Sequence, residues 1–252
     1  MQYRVHGYRH ADYLFQNLDE YSSEWNELLD AIEAISDKMI IDEFEGEKRE
    51  AKSISQAINR LMKAELVKRG WHPESYIFAD EEYGKQAKGT WRLDFAKNEL
   101  SVEVAFNHRS DISWNLIKPT LASELNHVQK AIQTSGGIIV TATKALKAQG
   151  GFDNACGTFE DYVQYLKPLS NILPAPLAII GLEPPSEFEI RTEKGRGTSK
   201  KGVVYQYANV SIHDFCACPN CGCVLENNEP FCKECGRRIL WNPRVRIPDG
   251  QD

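Results

Sequence analysis

Apolar side chains at Trp25, Leu28, Leu29, Ile32 and Ile35 recur at the spacing of one helical stripe. They predict one long helix over residues 11–36, or two broken near Asp19. A stretch rich in Glu and Lys, 42–52, separates this from a second stripe of Ile54, Ile58, Leu61, Met62 and Leu66. Lys68-Arg69-Gly70 closes that helix with basic residues in its last turn and a glycine after it. The first 70 residues therefore read as helical framework.

From Trp91 the period changes to two. Trp91, Leu93 and Phe95 alternate with Arg92 and Asp94, and Leu100, Val102, Val104 and Phe106 alternate with Ser101, Glu103 and Ala105. This predicts a hairpin around Lys97-Asn98-Glu99, with Phe95 opposite Leu100. A helix is expected over 114–134, then a buried strand at Ile138-Ile139-Val140-Thr141, a helix over 158–168 and a second buried strand at 177–182, ended by Pro184-Pro185. Strands alternating with helices make an α/β core. Residues 191–202 hold three glycines and five basic residues against one acid, and predict a mobile, positively charged loop. Val203-Val204-Tyr205-Gln206-Tyr207 is expected to return to the sheet.

Composition narrows the class. With 252 residues, 42% hydrophobic and 26% charged, the chain matches a soluble globular protein of one domain plus a small appendage. No stretch approaches the roughly 18 apolar residues of a membrane helix, and the N-terminal residues lack the apolar core of a signal peptide. The cytoplasm is the expected location, with no membrane partner. Thirty Lys and Arg against 36 Asp and Glu leave a charge of −6, the wrong sign for coating nucleic acid through a global field. Contact with nucleic acid would have to be local.

Of seven cysteines, six crowd into residues 216–235. Cys218-Pro219-Asn220-Cys221-Gly222 and Cys232-Lys233-Glu234-Cys235-Gly236 are two CxxCG knuckles. Each turn can aim two sulfurs at one point while its glycine takes the positive φ that follows, so Cys218, Cys221, Cys232 and Cys235 suit a tetrahedral zinc. Four thiolates leave no open position, which makes the ion structural. A redox CxxC pair or disulfides are the alternatives, and Cys216 or Cys223 is near enough to substitute as a ligand. Lys233, Arg237, Arg238, Arg244 and Arg246 make this end basic enough to grip phosphate, although a module that only caps the core or a dimer fits as well.

In the expected hairpin register, Asp94 and Glu103 are diagonal neighbours on one polar face, roughly 7 Å apart at Cα. Two such carboxylates can share a hard divalent cation such as Mg²⁺. The plainer alternative is a solvated face in which Arg92 pairs with Glu103. Downstream, Asn107-His108-Arg109-Ser110-Asp111-Ile112-Ser113-Trp114-Asn115 is rich in side chains suited to phosphates and base edges, or is a strand-to-helix loop capped by Ser113 or Asp111.

Leu93-Asp94-Phe95, with Glu103 nine positions after the aspartate in Ser101-Val102-Glu103-Val104-Ala105-Phe106, resembles the catalytic hairpin of the BglII/BstYI family of type II restriction endonucleases. These are PD-(D/E)xK nucleases. The similarity extends to Tyr8-Arg9-His10-Ala11-Asp12, residues 53–66, Gly70-Trp71, Ser123-Glu124-Leu125 and residues 177–182. The cysteine knuckles lie outside it. The resemblance implies a mixed sheet flanked by helices over 1–209, and the cysteine spacing predicts a separate zinc ribbon over 210–252. It implies Mg²⁺ held by Asp94, Glu103 and the Val104 carbonyl, with Glu74 as an upstream polar contributor. It also implies a homodimer that cuts double-stranded DNA at a short palindrome.

Asn107, His108 and Arg109, together with Lys194, Arg196, Lys200 and Lys201, would then contact DNA. The family carries Glu, Gln or Lys two positions after the glutamate, where this chain has Ala105. Asn107, His108 and Lys97 are the nearest candidates to serve instead. Two other readings stand beside the nuclease: a catalytically weak DNA-binding protein that keeps the fold, and a zinc-ribbon interaction protein with an unrelated α/β domain.

Overall fold

The computed structural model describes residues 1–47, 50–79, 91–124, 129–195, 200–211, 218, 220–225 and 229–242. Its centre is a six-stranded mixed sheet in the order β1-β6-β5-β4-β3-β2. The strands are β1 (Tyr3–Tyr8), β2 (His72–Tyr76), β3 (Arg92–Lys97), β4 (Leu100–Val104), β5 (Gly136–Ala142) and β6 (Leu177–Leu182). β4, β5 and β6 run parallel, while β1, β3 and β2 add antiparallel edges.

β5 and β6 are buried throughout because helices cover both faces. Ile138, Val140, Ala178 and Ile180 turn toward α1 (Ala11–Asn17), α2 (Asp19–Ala34), α3 (Asp37–Glu45) and α4 (Ser55–Lys68), and join a core with Phe15, Trp25, Leu28, Ile32 and Ile58. Ile139, Leu177 and Ile179 turn the other way and pack with Ile112 and Leu116 of α5 (Ile112–Ser123) and Phe159 and Tyr162 of α7 (Phe159–Leu166). Between them, α6 (Lys144–Gln149) is capped by the Thr143 hydroxyl, and α7 opens on a capping box of Thr158 and Asp161.

Helix α5 approaches the sheet closely. A Cβ on Gly137 of β5 would fall 2.3 Å from the Pro119 Cβ of α5, so only glycine fits there. This contact presses the middle of α5, including Lys118, onto β4 and β5.

The first stripe forms two helices, broken as expected beside Asp19, at Leu18, where the backbone is extended (φ −94°, ψ 132°). Several other expectations are corrected. The acidic stretch after it opens as α3, whose N-cap Ser36 accepts from the Met39 amide. The helix expected over 114–134 begins at Ile112 and ends at Ser123, and Lys130 instead bridges to Phe78. Edge strands β1 and β2 escape the pattern because most of their residues are exposed, and β2 carries Pro73. Residues 191–194 are not loop but part of β7 (Phe188–Lys194), which pairs with β8 (Lys200–Gln206) in a sheet of its own, so residues 203–207 do not rejoin the central sheet. A parallel pair, β9 (Ala208–Ser211) and β10 (Ile239–Asn242), follows. Among the described residues, no helix is long and apolar enough to cross a membrane.

Candidate active site

The hairpin register differs from the expected one by two residues. Phe95 pairs with Val102 and Lys97 with Leu100, which leaves only Asn98 and Glu99 in the turn. Asn98 takes the positive φ of 45° that so tight a turn demands. The shift of two keeps the facing of every side chain but brings Asp94 directly opposite Glu103 rather than diagonal to it. On the other flank, Pro73 pairs with Phe95 and Ser75 with Leu93, so Glu74 lies across from Asp94. Glu74, Asp94 and Glu103 form one row across three strands. Glu74 holds a φ of 57°, a conformation costly for a residue with a Cβ.

The row runs from the exposed Glu74 through the half-buried Asp94 to a shielded end at Glu103. Glu103 is 2% exposed beneath α5, and its Oε2 accepts from the Lys118 ammonium. Its Oε1 is buried with no hydrogen-bond partner. Arg92 does not reach Glu103 but pairs with Glu74 at 2.7 Å, where Lys63 also approaches to 3.9 Å. Asp94 Oδ2 accepts the Val104 amide at 2.9 Å. Burial pushes the Glu103 carboxyl up to about 8, the Asp94 charge adds to the rise, and Lys118 opposes it. Burial likewise raises Asp94, against the Val104 amide and Lys118.

The buried Glu103 and the half-buried Asp94 facing it therefore resist ionising together unless a cation joins them. A cavity of ≈ 220 Å³ opens beside Asp94, lined by Asn59, Lys63, Glu74, Asp94, Phe95 and Val104. The Asn59 Oδ1 is buried and also lacks a partner. A donor set of hard oxygens with one carboxylate oxygen left over fits Mg²⁺.

Lys118 was invisible to the sequence reading. It is the only charged residue in α5, Ile-Ser-Trp-Asn-Leu-Ile-Lys-Pro-Thr-Leu-Ala-Ser, and a lone lysine in an apolar helix was the available signal. The three candidates to serve in place of Ala105 are engaged elsewhere or lie apart. The Lys97 ammonium binds Glu27 at 2.6 Å and the Arg69 carbonyl at 2.8 Å. Asn107 accepts from Asn115 at 3.0 Å, and Asn115 also donates to the Tyr162 hydroxyl at 2.7 Å. His108 is exposed and bridges through its backbone to Cys156. Neither Ser113 nor Asp111 caps α5; Asp111 holds the N-cap position without a side-chain hydrogen bond.

Arg109 is half-exposed, with its Nε 3.3 Å from Asp161 Oδ2. Lys194 and Lys200 face each other, exposed, on β7 and β8, and Lys201 lies opposite Glu193. Arg196, Cys216, Arg244 and Arg246 lie outside the described residues.

The sulfurs of Cys218, Cys221, Cys232 and Cys235 lie within 4.8 Å of one another. Gly222 (φ 74°) and Gly236 (φ 69°) donate back to the Cys218 and Cys232 carbonyls, closing both knuckles. The Cys223 sulfur is 3.1 Å from that of Cys232. Arg191 of β7 docks this module: its guanidinium donates to the Gly236 carbonyl at 3.2 Å and lies over the Tyr205 and Phe231 rings.

The family model described as restriction endonuclease BglII/BglIII matches residues 3–182. The crystal structure of restriction endonuclease BglII complexed with a DNA 16-mer superposes with a TM-score of 0.56 at 18% identity, over 82% of this chain and 93% of that one. The structure of free BglII gives 0.46 at 19% identity, over 82% and 95%. No curated protein matches the chain. The DNA-bound likeness establishes the fold as the mixed α/β fold of that endonuclease.

Glu103 keeps its proton to about pH 8 in the fold against 4.5 as a free carboxyl. Its contribution to stability is therefore fully present below pH 4.5 and is lost as pH rises to about 8. In Mg²⁺-free buffer, thermal scans are expected to show the wild type melting progressively lower than Glu103→Gln across this window. Added Mg²⁺ is expected to raise the wild-type melting temperature, and Asp94→Asn to abolish that rise. Wild type and Glu103→Gln moving in parallel at every pH would contradict the buried geometry.

Proposed function

Given that the chain belongs to the BglII/BglIII family of restriction endonucleases, we propose that it is a type II enzyme that hydrolyses DNA phosphodiester bonds at a short palindrome with Mg²⁺. The observation that supports this most is the facing pair Asp94 and Glu103, raised in pKa by burial, with Glu103 Oε1 left without a partner. Asp94, Glu103 and the Val104 carbonyl hold the ion, and Glu74 contributes from the neighbouring strand. When bound, Mg²⁺ supplies Lewis acidity that acidifies water and offsets charge on the phosphoryl oxygens. The chain's own part is to fix the carboxylates rigidly, keep one flank dry under α5, and leave the cavity side open to the backbone.

Duplex DNA as the partner is supported by the DNA-bound state of the related BglII endonuclease. Asn107, His108 and Arg109 follow the end of β4 and are assigned to DNA contact, Asn107 after release from Asn115. Lys194, Lys200 and Lys201 at the β7–β8 tip, a local positive surface on an acidic protein, are assigned to the phosphate backbone, as is Arg196, which follows β7 in sequence. A palindrome cut on both strands calls for two copies related by a twofold axis, hence a homodimer. Residues 1–209 are taken as the nuclease core and 210–252 as a module held by structural Zn²⁺ at Cys218, Cys221, Cys232 and Cys235. Family membership removes the reading of an unrelated α/β domain. A DNA-binding protein with weak catalysis is the second reading, favoured by the apolar Ala105, which is 3% exposed among Ile112, Leu116 and Ile139.

Incubation with unmethylated phage-length DNA is expected to give discrete fragments with Mg²⁺ and none with EDTA, and Asp94→Ala and Glu103→Ala are expected to give none. Retention of DNA without cutting by the folded wild type would leave the second reading. Metal analysis is expected to find about one zinc per chain, lost in Cys232→Ser with a drop in melting temperature; a zinc-free, fully stable wild type would refute the module.

A further inference from the structure

We propose that Lys118 is the water-positioning group of this site, delivered from helix α5 because the chain just past the end of strand β4 offers only Ala105 at the corresponding face. The inference rests on the nuclease reading above. Hydrolysis of a phosphodiester needs a donor that holds the attacking water and meets the charge that builds on the phosphoryl oxygens. Among the described residues, Lys118 is the only cation that touches the buried carboxylate pair. Arg92 and Lys63 are drawn to Glu74 at the outer end of the row.

An ammonium has three donors. Lys118 gives one to Glu103 Oε2 and a second, at 3.4 Å, to the Arg92 carbonyl. The third has no protein partner among the described residues. The side chain is 11% exposed, so this is not a surface lysine idling in solvent. Placing it there is costly: a buried ammonium is often less stabilising than an apolar residue of the same volume, and every neighbour along α5 is uncharged. The Gly137–Pro119 approach then fixes the neighbouring residue, Lys118, against β4. Stability alone does not account for such a lysine; a free donor beside two carboxylates does.

In the step itself, the water oxygen bonds to phosphorus and the ester bond to the leaving oxygen breaks. The proton lost by the water passes to solvent, and the leaving alkoxide takes one from solvent, with no change of oxidation state. Lys118 keeps its bond to Glu103 and aims its third hydrogen at the water, turning it toward a phosphoryl oxygen as charge accumulates.

The test uses the full chain and four variants: Lys118→Met, Lys118→Gln, Ala105→Lys and the double variant Lys118→Met/Ala105→Lys. Single-turnover cleavage at saturating DNA is expected to slow by about 100-fold or more in Lys118→Met, and less in Lys118→Gln, which keeps a donor. The double variant is expected to recover at least about tenfold of that loss, because residue 105 lies on the same face two residues beyond Glu103. Calorimetry with Ca²⁺ and no DNA is expected to show affinity for the ion retained or tightened in Lys118→Met, since the lysine is not a ligand and its charge repels the ion.

Cleavage by Lys118→Met at the wild-type rate would overturn the inference while leaving the nuclease reading intact. So would a tenfold or greater loss of Ca²⁺ affinity, which would mean that Lys118 only holds Glu103 for the ion. Should Lys118→Met melt below the assay temperature, Lys118→Gln decides, and an unchanged rate there overturns the proposal. A wild type that binds Ca²⁺ and DNA without cutting would refute the nuclease reading and this inference with it.

Discussion

Glu103 sits under helix α5 with almost no access to water, and among the described residues its only cationic contact is one ammonium. Everything chemical about the site follows from that enclosure. An exposed carboxylate pair would be screened and content with sodium and water, at a cost or gain of at most about 1 kcal/mol. With Glu103 buried, the same pair raises its own proton affinity, leaves one oxygen unsatisfied and, on the proposed reading, seats a divalent cation. The enclosure depends in turn on a packing detail, the glycine of β5 that lets the proline of α5 come close. Sheet, helix and site are coupled through that contact.

Asp94 and Glu103 were legible because strand alternation is robust: their parity places both on one face in any register that differs by an even number. The register itself was not legible. A turn of two residues with Asn98 at positive φ and a turn of four fit the same hydrophobic pattern, and only cross-strand packing separates them. Lys118 was hidden for a different reason. Its partner is 15 residues away across a strand-to-helix crossing, and no local periodicity reports such a contact. The β7–β8 hairpin was hidden by composition, since lysines and glycines in a free-standing ribbon carry the signature of a loop.

The family model ends at residue 182, and the chain continues into a ribbon and a cysteine cluster that lie beyond it. These added parts are joined to each other by Arg191, whose guanidinium spans an aromatic ring on β8, an aromatic ring beside the second knuckle and that knuckle's carbonyl. A cation shared between two aromatic faces and a backbone oxygen is a compact way to fasten a small module that has little core of its own. The exposed lysines at the β7–β8 tip thus extend from a base braced by the cysteine module.

The central claim is that Asp94 and Glu103 together bind a divalent ion. Crystals of the protein with duplex DNA and Mn²⁺, read by anomalous diffraction, test it most directly. The account predicts one peak between these two carboxylates, within bonding distance of Asp94 and of Glu103 Oε1, with Lys118 still on Oε2. A peak held by other residues, or an occupied DNA cleft with no ion at this pair, would contradict it.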